Sequence, residues 1–185
     1  MKKTILMIAA ILTLNSAMAQ DKYFTKSGLI TFEATVASFE EIKSENNCVT
    51  AILNTETQEL AVLALMKAFR FKVALMEEHF NENYVESDLY PKATFKGKLN
   101  AFNLSGLSET PKKFELTGIL NMHNKDKEIK SVALVSIKNN VILLTTEFKV
   151  KPEDFDIKIP SIVQEKIAKE IKVNVTLNLQ KMGAK

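Results

Sequence analysis

At 185 residues with a formal net charge of +3 and one cysteine, the chain has the length of one domain that buries a core without disulfides, and a lone cysteine forms no internal one. The five glycines, at 28, 97, 106, 118 and 183, assemble neither a phosphate-binding loop nor a dinucleotide fingerprint, so nucleotide cofactors are not expected. The weak positive balance leaves no basic field to recruit nucleic acid.

Lys2 and Lys3, the apolar run from Ile5 to Leu14 and the small residues of Ala17-Met18-Ala19 predict a secretory signal peptide over residues 1–19. The run is too short to stay behind as a membrane span. Gln20 follows it, where a lipid-anchored product needs cysteine, so a soluble periplasmic or secreted protein is expected. Cleavage removes two lysines and no acid and leaves the chain near neutral. Residues 20–185 then form a single domain.

The first strand covers about 28–37, where Ile30, Phe32, Ala34 and Val36 alternate with Thr31, Glu33 and Thr35. The polar loop EEIKSENN leads to a second strand at 48–54, in which Cys48 reads as a small strand residue. Thr55 to Gln58 turn the chain into ELAVLALM, residues 59–66. That run is apolar on both faces and suits either a covered strand or a first helical turn; its turn-bounded length favours strand.

From Lys67 the period changes. Phe69, Val73, Met76 and Phe80 recur at steps of four, three and four, widened by Phe71 and Leu75, while Arg70, Glu77, Glu78 and Asn81 fall mostly outside the stripe. This predicts an amphipathic helix of about three turns, ending near Asn81 and Asn83. Pro91 pushes Tyr90 to extended geometry, and alternation resumes through a strand at 93–103.

After LSGLSETPKK come strands at 114–122, 128–138 and 141–151, separated by turns at Asn124-Lys125-Asp126 and Asn139-Asn140. Connections this short join antiparallel neighbours. Pro152, Asp154 and Pro160 break the sheet, and Ser161 with Gln164 makes a capping pattern ahead of a short C-terminal helix to about Lys169. In the last strand Ile171, Val173, Val175, Leu177 and Leu179 share one face.

Eight antiparallel strands joined mainly by hairpins predict a mainly β fold, an eight-stranded barrel with an inserted amphipathic helix. A membrane-spanning barrel has the same strand count, with its apolar face outward. Lys96, Lys98 and Lys172 on the polar faces and the absence of tryptophan turn the apolar face inward instead, and the protein is not membrane-integral.

No nucleophile elbow, C-x-x-C pair or H-E-x-x-H helix occurs. His79 and His123 are the only histidines. His79 with Glu82 makes an i, i+3 pair from which a mixed metal site is arithmetically available, but exposed or capping histidines are the commoner outcome, and neither metal ligands nor catalytic residues are assigned. Glu77, Glu78 and Glu82 read as solvated charge. What remains is the apolar lining: Phe32, Phe69, Phe71, Met76, Phe80, Phe95, Leu120, Phe148 and Val175. On the residues alone these fill an ordinary core.

Three stretches carry a further signal. HFNEN, YVESD and YPKATFKG in order, FELTGILNMHNKDKEIK at Phe114–Lys130, and EDFDIKIPSI at Glu153–Ile162 resemble the centre, one strand-and-turn and the "D-F-G-I-x-x-P" turn of the YceI-like family, and the likeness extends over nearly the whole mature chain. The chain departs from it at FKVALMEEHF, where Arg-Asp-x-His-Leu is common, and at Asp156, where the family has glycine. The resemblance implies a lipocalin-like barrel holding an isoprenoid-type or fatty lipid, with the nine apolar residues as ligand contacts and no cofactor besides that lipid. It implies a carrier or storage protein whose partner is the long-chain lipid; an envelope membrane or protein for lipid transfer, and a second copy of the chain in a homodimer, stay open as further partners. An enzyme acting on an apolar lipid, with His79, Glu82 or His123 as acid or base, stays open beside it. An enzyme needs at least two titratable groups converging inside the cavity.

Overall fold

The structure, a computed structural model, describes residues 22–36 and 39–183; the expected signal peptide lies outside them. Among the described residues nine strands form: β1 Lys22–Thr35, β2 Lys43–Asn54, β3 Glu59–Leu65, β4 Arg70–Phe71, β5 Lys92–Asn100, β6 Lys112–Met122, β7 Lys125–Lys138, β8 Val141–Val150 and β9 Ile167–Lys181. Eight follow one another as β1-β9-β8-β7-β6-β5-β3-β2, and β2 pairs back onto β1, so the sheet closes. Every pairing is antiparallel. The ninth, β4, is a two-residue strand that pairs Arg70 and Phe71 with Glu45 and Ser44 of β2. Closure removes the unpaired edges that an open sheet presents.

Local chemistry sets the corners. Met122 faces Lys125 and Lys138 faces Val141 across two-residue loops. His123, Asn124, Asn139 and Asn140 there all have positive φ, from 48° to 61°. Two left-handed residues in succession are the hairpin loop whose twist matches its flanking strands, and asparagine tolerates that backbone better than most residues. The first of these loops therefore turns at His123-Asn124, ahead of the expected Asn124-Lys125-Asp126.

The helix is shorter than the sequence stripe implies. It runs α-helically from Ala74 to His79, named α1 here, and continues as a π-helical turn over Phe80–Tyr84. Phe69 and Val73 are extended, at ψ near 128° and 120°. The reason is pairing: Met66–Ala68 make a 3-10 turn, β4 then docks on β2, and the Glu77 carboxylate accepts the Phe71 N–H at 3.1 Å. The expected C-terminal helix is absent, and residues 161–166 form successive turns, with Val163 N–H donating to Pro160 O and Lys166 N–H to Val163 O. Pairing with β1 reaches Ile167 opposite Thr35, and the intervening stretch is too short for an isolated helix to hold. The strand expected at 93–103 ends at Asn100, and Ala101 is exposed at φ 57° rather than inward beside Ala93 and Gly97.

The two ends of the barrel differ. At the end where the chain turns at 54–59 and 138–141, Leu53, Leu99, Ile142, Leu144, Leu177 and Leu179 have no exposure, and the rings of Phe102 and Phe114 pack at 5.4 Å with their planes tilted by 56°. That half is a close-packed core. At the other end meet the insertion between β3 and β5, the loop after β1, the His123 hairpin and the long connection from β8 to β9.

Candidate functional site

A cavity of about 430 Å³ occupies this second end, inside the range of about 300–1,000 Å³ common for ligand pockets. Its walls are the last inward residues of the strands: Ile30, Phe32 and Ala34 on β1, Ala64 on β3, Ala93 on β5, Leu120 and Met122 on β6, Phe148 and Val150 on β8, Ile171 and Val173 on β9. The roof comes from the insertion, through Met66, Phe69, Phe71, Met76, Phe80, Tyr84 and Val85. One flank comes from Ile157, Ile159 and Val163 of the β8–β9 connection and from Phe39 and Ile42.

Why the insertion lies there follows from its own side chains. Phe32, Phe69, Phe71 and Phe80 form one aromatic cluster with centroids 5.1–5.7 Å apart, in the tilted and edge-on arrangements that ring quadrupoles favour. Glu77 ties α1 to β4 by accepting from Arg70 Nη1 at 2.6 Å and from Phe71 N–H. Ser44 Oγ donates to Arg70 O at 2.9 Å and Asn46 Nδ2 to Leu65 O at 3.0 Å, both from β2. No residue of α1 or its π-turn is fully buried. The helical part of the roof thus lies over a space, held by the phenylalanine cluster and a few directed bonds.

Seven of the nine expected contacts, Phe32, Phe69, Phe71, Met76, Phe80, Leu120 and Phe148, come together on this cavity. Phe95 and Val175 do not. Each lies one inward step below a lining residue, Ala93 and Val173 respectively; the Phe95 ring covers Gly97 and Gly118, and Val175 packs into the core at 8% exposure. Ile30, Ala34 and Val173 line the cavity too, at inward positions of the same period-2 alternation. Ile157 and Ile159 carried no such signal, because a long-range return of the β8–β9 connection places them.

Of the three acid/base candidates only His79 lines the cavity. Glu82 is exposed on the outer side of the π-turn, and His123 is tied outside the wall by bonds from both ring nitrogens, to Phe155 O at 2.9 Å and Glu86 Oε2 at 3.0 Å. Tyr84 lines the wall, and burial pushes its phenol above the ordinary range, so it stays neutral. Glu40, Lys151 and Lys166 stand where the cavity meets solvent. Several inward positions are polar, but their groups are spent on one another: Ser131 Oγ and Thr146 Oγ1 bond at 2.9 Å, and Lys127 pairs with Asp154 at 2.7 Å. Beside the cavity the Lys125 ammonium bonds to Asp156 and holds its carboxyl below the usual range, with the lysine raised in return. Among the described residues no group of three or more His, Cys, Asp or Glu is placed to hold a metal ion, and no helix is long and apolar enough to cross a membrane.

Residues 18–179 match the family described as the YceI-like domain. Among solved structures, a polyisoprenoid binding domain from Saccharophagus degradans implicated in plant cell wall breakdown superposes with a TM-score of 0.76 at 12% identity, covering 88% of this chain and 99% of that one. Burkholderia cenocepacia BcnA does so with a TM-score of 0.62 at 10% identity, over 82% and 94%. The Campylobacter jejuni YCEI protein gives a TM-score of 0.58 at 16% identity, over 77% and 88%. At these identities the likeness is one of fold. No curated protein matches the chain.

Proposed function

This chain belongs to the YceI-like family, and on that premise we propose that it is an exported carrier or storage protein that holds a long-chain lipid of isoprenoid type in the cavity beneath α1. The observation that carries the reading is the half-empty barrel: packed leucines below, and above them a 430 Å³ space with almost wholly aliphatic and aromatic walls. The polyisoprenoid binding domain from Saccharophagus degradans with the same fold supports it. Phenylalanine and methionine beside Ala34, Ala64 and Ala93 suit a flexible hydrocarbon, since methionine adapts its shape and small residues leave room. Each buried methylene contributes about 0.8 kcal/mol, so ten carbons supply about 8 kcal/mol before the entropy of binding is subtracted. An apolar wall of this kind binds by area and discriminates weakly among long chains.

Binding rather than catalysis is the reading because His79, Glu82 and His123 do not converge: one lines the cavity, one faces solvent, one is engaged elsewhere. The decisive experiment is mass spectrometry of an organic extract from protein purified without detergent. We expect isoprenoid or fatty chains in molar amounts. An extract empty of lipid, from protein that also takes up no dansyl-labelled geranylgeraniol, overturns the proposal. Export is proposed with it, from Lys2-Lys3, the apolar run and Ala17-Met18-Ala19: the intact mass of the mature product should begin at Gln20, and a membrane-bound product that keeps Met1 counts against it.

A further inference from the structure

Three separated stretches each give one residue to the cavity wall and an immediate neighbour to a junction around His123. Val85 lines the cavity and Glu86 faces the imidazole; Met122 lines it and His123 follows; Ile157 lines it, and Phe155 and Asp156 precede it at the junction. The ring is 9% exposed and packs at 4.1 Å, centroid to centroid, on Tyr90. Glu86, His123 and Asp156 all stand at positive φ, 44°, 51° and 56°, a backbone that non-glycine residues keep only where their surroundings hold them.

The hydrogen count at this junction is fixed by its acceptors. Phe155 O, 2.9 Å from Nδ1, is a carbonyl and can only accept, so Nδ1 carries a hydrogen. The 3.0 Å contact between Nε2 and Glu86 Oε2 then needs a second hydrogen. With the carboxylate ionised, that hydrogen makes the ring an imidazolium. Without it, a nitrogen lone pair faces a carboxylate oxygen at bonding distance.

We propose that His123 is a proton-operated latch on the cavity: protonated, it ties the exit of the helical insertion, the β6–β7 hairpin and the β8–β9 connection into one wall, and deprotonated, it releases the first of these. That the latch governs lipid rests on the carrier reading; that it exists does not. The other charges on the elements packed around the ring are already answered. Asp88 pairs with Lys67, Asp154 with Lys127, Glu153 with Lys151, and Asp126 accepts from Asn121. Asp156 bonds Lys125 at 2.6 Å, with Lys158 and His123 adding to its field. Glu86 is the carboxylate that faces the imidazole itself. Because the tie needs a hydrogen on both ring nitrogens, it holds while the ring is protonated and is lost when the second proton leaves.

The test is hydrogen exchange on the full mature chain, read as protection factors so that intrinsic pH dependence cancels. The amides to follow are Ser87, Leu89 and Tyr90, which donate to Asn81 O and Glu86 O, and Ile157, which donates to Pro152 O. The Glu86 carboxylate is 44% exposed, so solvent screens the bond and it shifts an opening equilibrium by about two- to fivefold; we expect the protection of the 87–90 amides to fall by about that factor from pH 5 to pH 8. Transfer of dansyl-labelled geranylgeraniol to phosphatidylcholine vesicles should quicken over the same range. Glu86→Gln should level both profiles, since an amide N–H can donate to the neutral ring. His123→Asn, which tolerates the left-handed backbone, should lower protection at every pH. Protection that does not change with pH in the parent, or that changes as much in Glu86→Gln, overturns the latch. Protection that follows pH in a protein that yields no lipid on extraction and binds no probe sustains the latch and sinks the carrier reading.

Discussion

Gly118 and Gly97 face each other across β6 and β5, and the room they leave is already taken. A Cβ on Gly118 would lie 2.4 Å from Gly97 Cα, 2.5 Å from Lys96 O and 2.6 Å from Phe95 Cζ. Two of the three obstacles are backbone, so no rotamer change relieves them. We expect Gly118→Ala to cost about 1–3 kcal/mol as overpacking, seen as a lowered denaturation midpoint with an unchanged slope, and Phe95→Ala in the same chain not to restore it. Full restoration would show that the ring alone decides. The alternation of β5 and β6 put Phe95 on the inward face, but not where its ring goes: the two glycines opposite each other draw it down over the sheet and away from the cavity.

At the scale of the element, α1 illustrates how a true amphipathic signal can have false bounds. Met76 and Phe80, four apart, do share the face toward the cavity, while Phe69 reaches the same cavity from an extended segment and Leu75 points out at 56% exposure. Spacing alone cannot distinguish a helix that begins at Phe69 from a strand pair that delivers Phe69 and Phe71 and a helix that begins after them. Pairing of β4 with β2 decides, and Glu77 seals it. Its carboxylate is the bond between α1 and the barrel, so Glu77→Ala should lower global stability by only about 1 kcal/mol while the Phe71 amide loses exchange protection and the labelled prenol leaves faster. Unchanged protection at Phe71 would mean that the phenylalanine cluster holds the roof without it.

For the whole molecule, the boundary between filled and empty barrel is sharp enough to test with two substitutions on one strand. Val173 and Val175 are successive inward residues of β9; the first lines the cavity and the second is packed beneath it. Val175→Phe should lower stability by about 1–3 kcal/mol, because the ring must displace packed neighbours. Val173→Phe has space above it, so stability should hold within about 0.5 kcal/mol while uptake of the labelled prenol drops. Equal destabilisation by both would mean that the upper half is as closely packed as the lower.

The chain by itself determined the closed antiparallel barrel, because period-2 alternation and short turns between neighbouring strands leave few other ways to bury one face of eight strands. It also determined most of the cavity wall, since inward positions are a property of each strand taken alone. Tertiary structure decided the rest. Which inward residues pack and which enclose space depends on how far up the barrel each sits, and so on register between strands far apart in sequence, which put Phe95 and Val175 below the cavity and Val173 beside it. The segment with the S-x-x-Q pattern became turns and strand because a partner, β1, reached Ile167, and His123 became the centre of a junction because Phe155 and Glu86, 32 and 37 residues away, returned to its two nitrogens. Local pattern reports what a residue prefers; the closed sheet chose its neighbours.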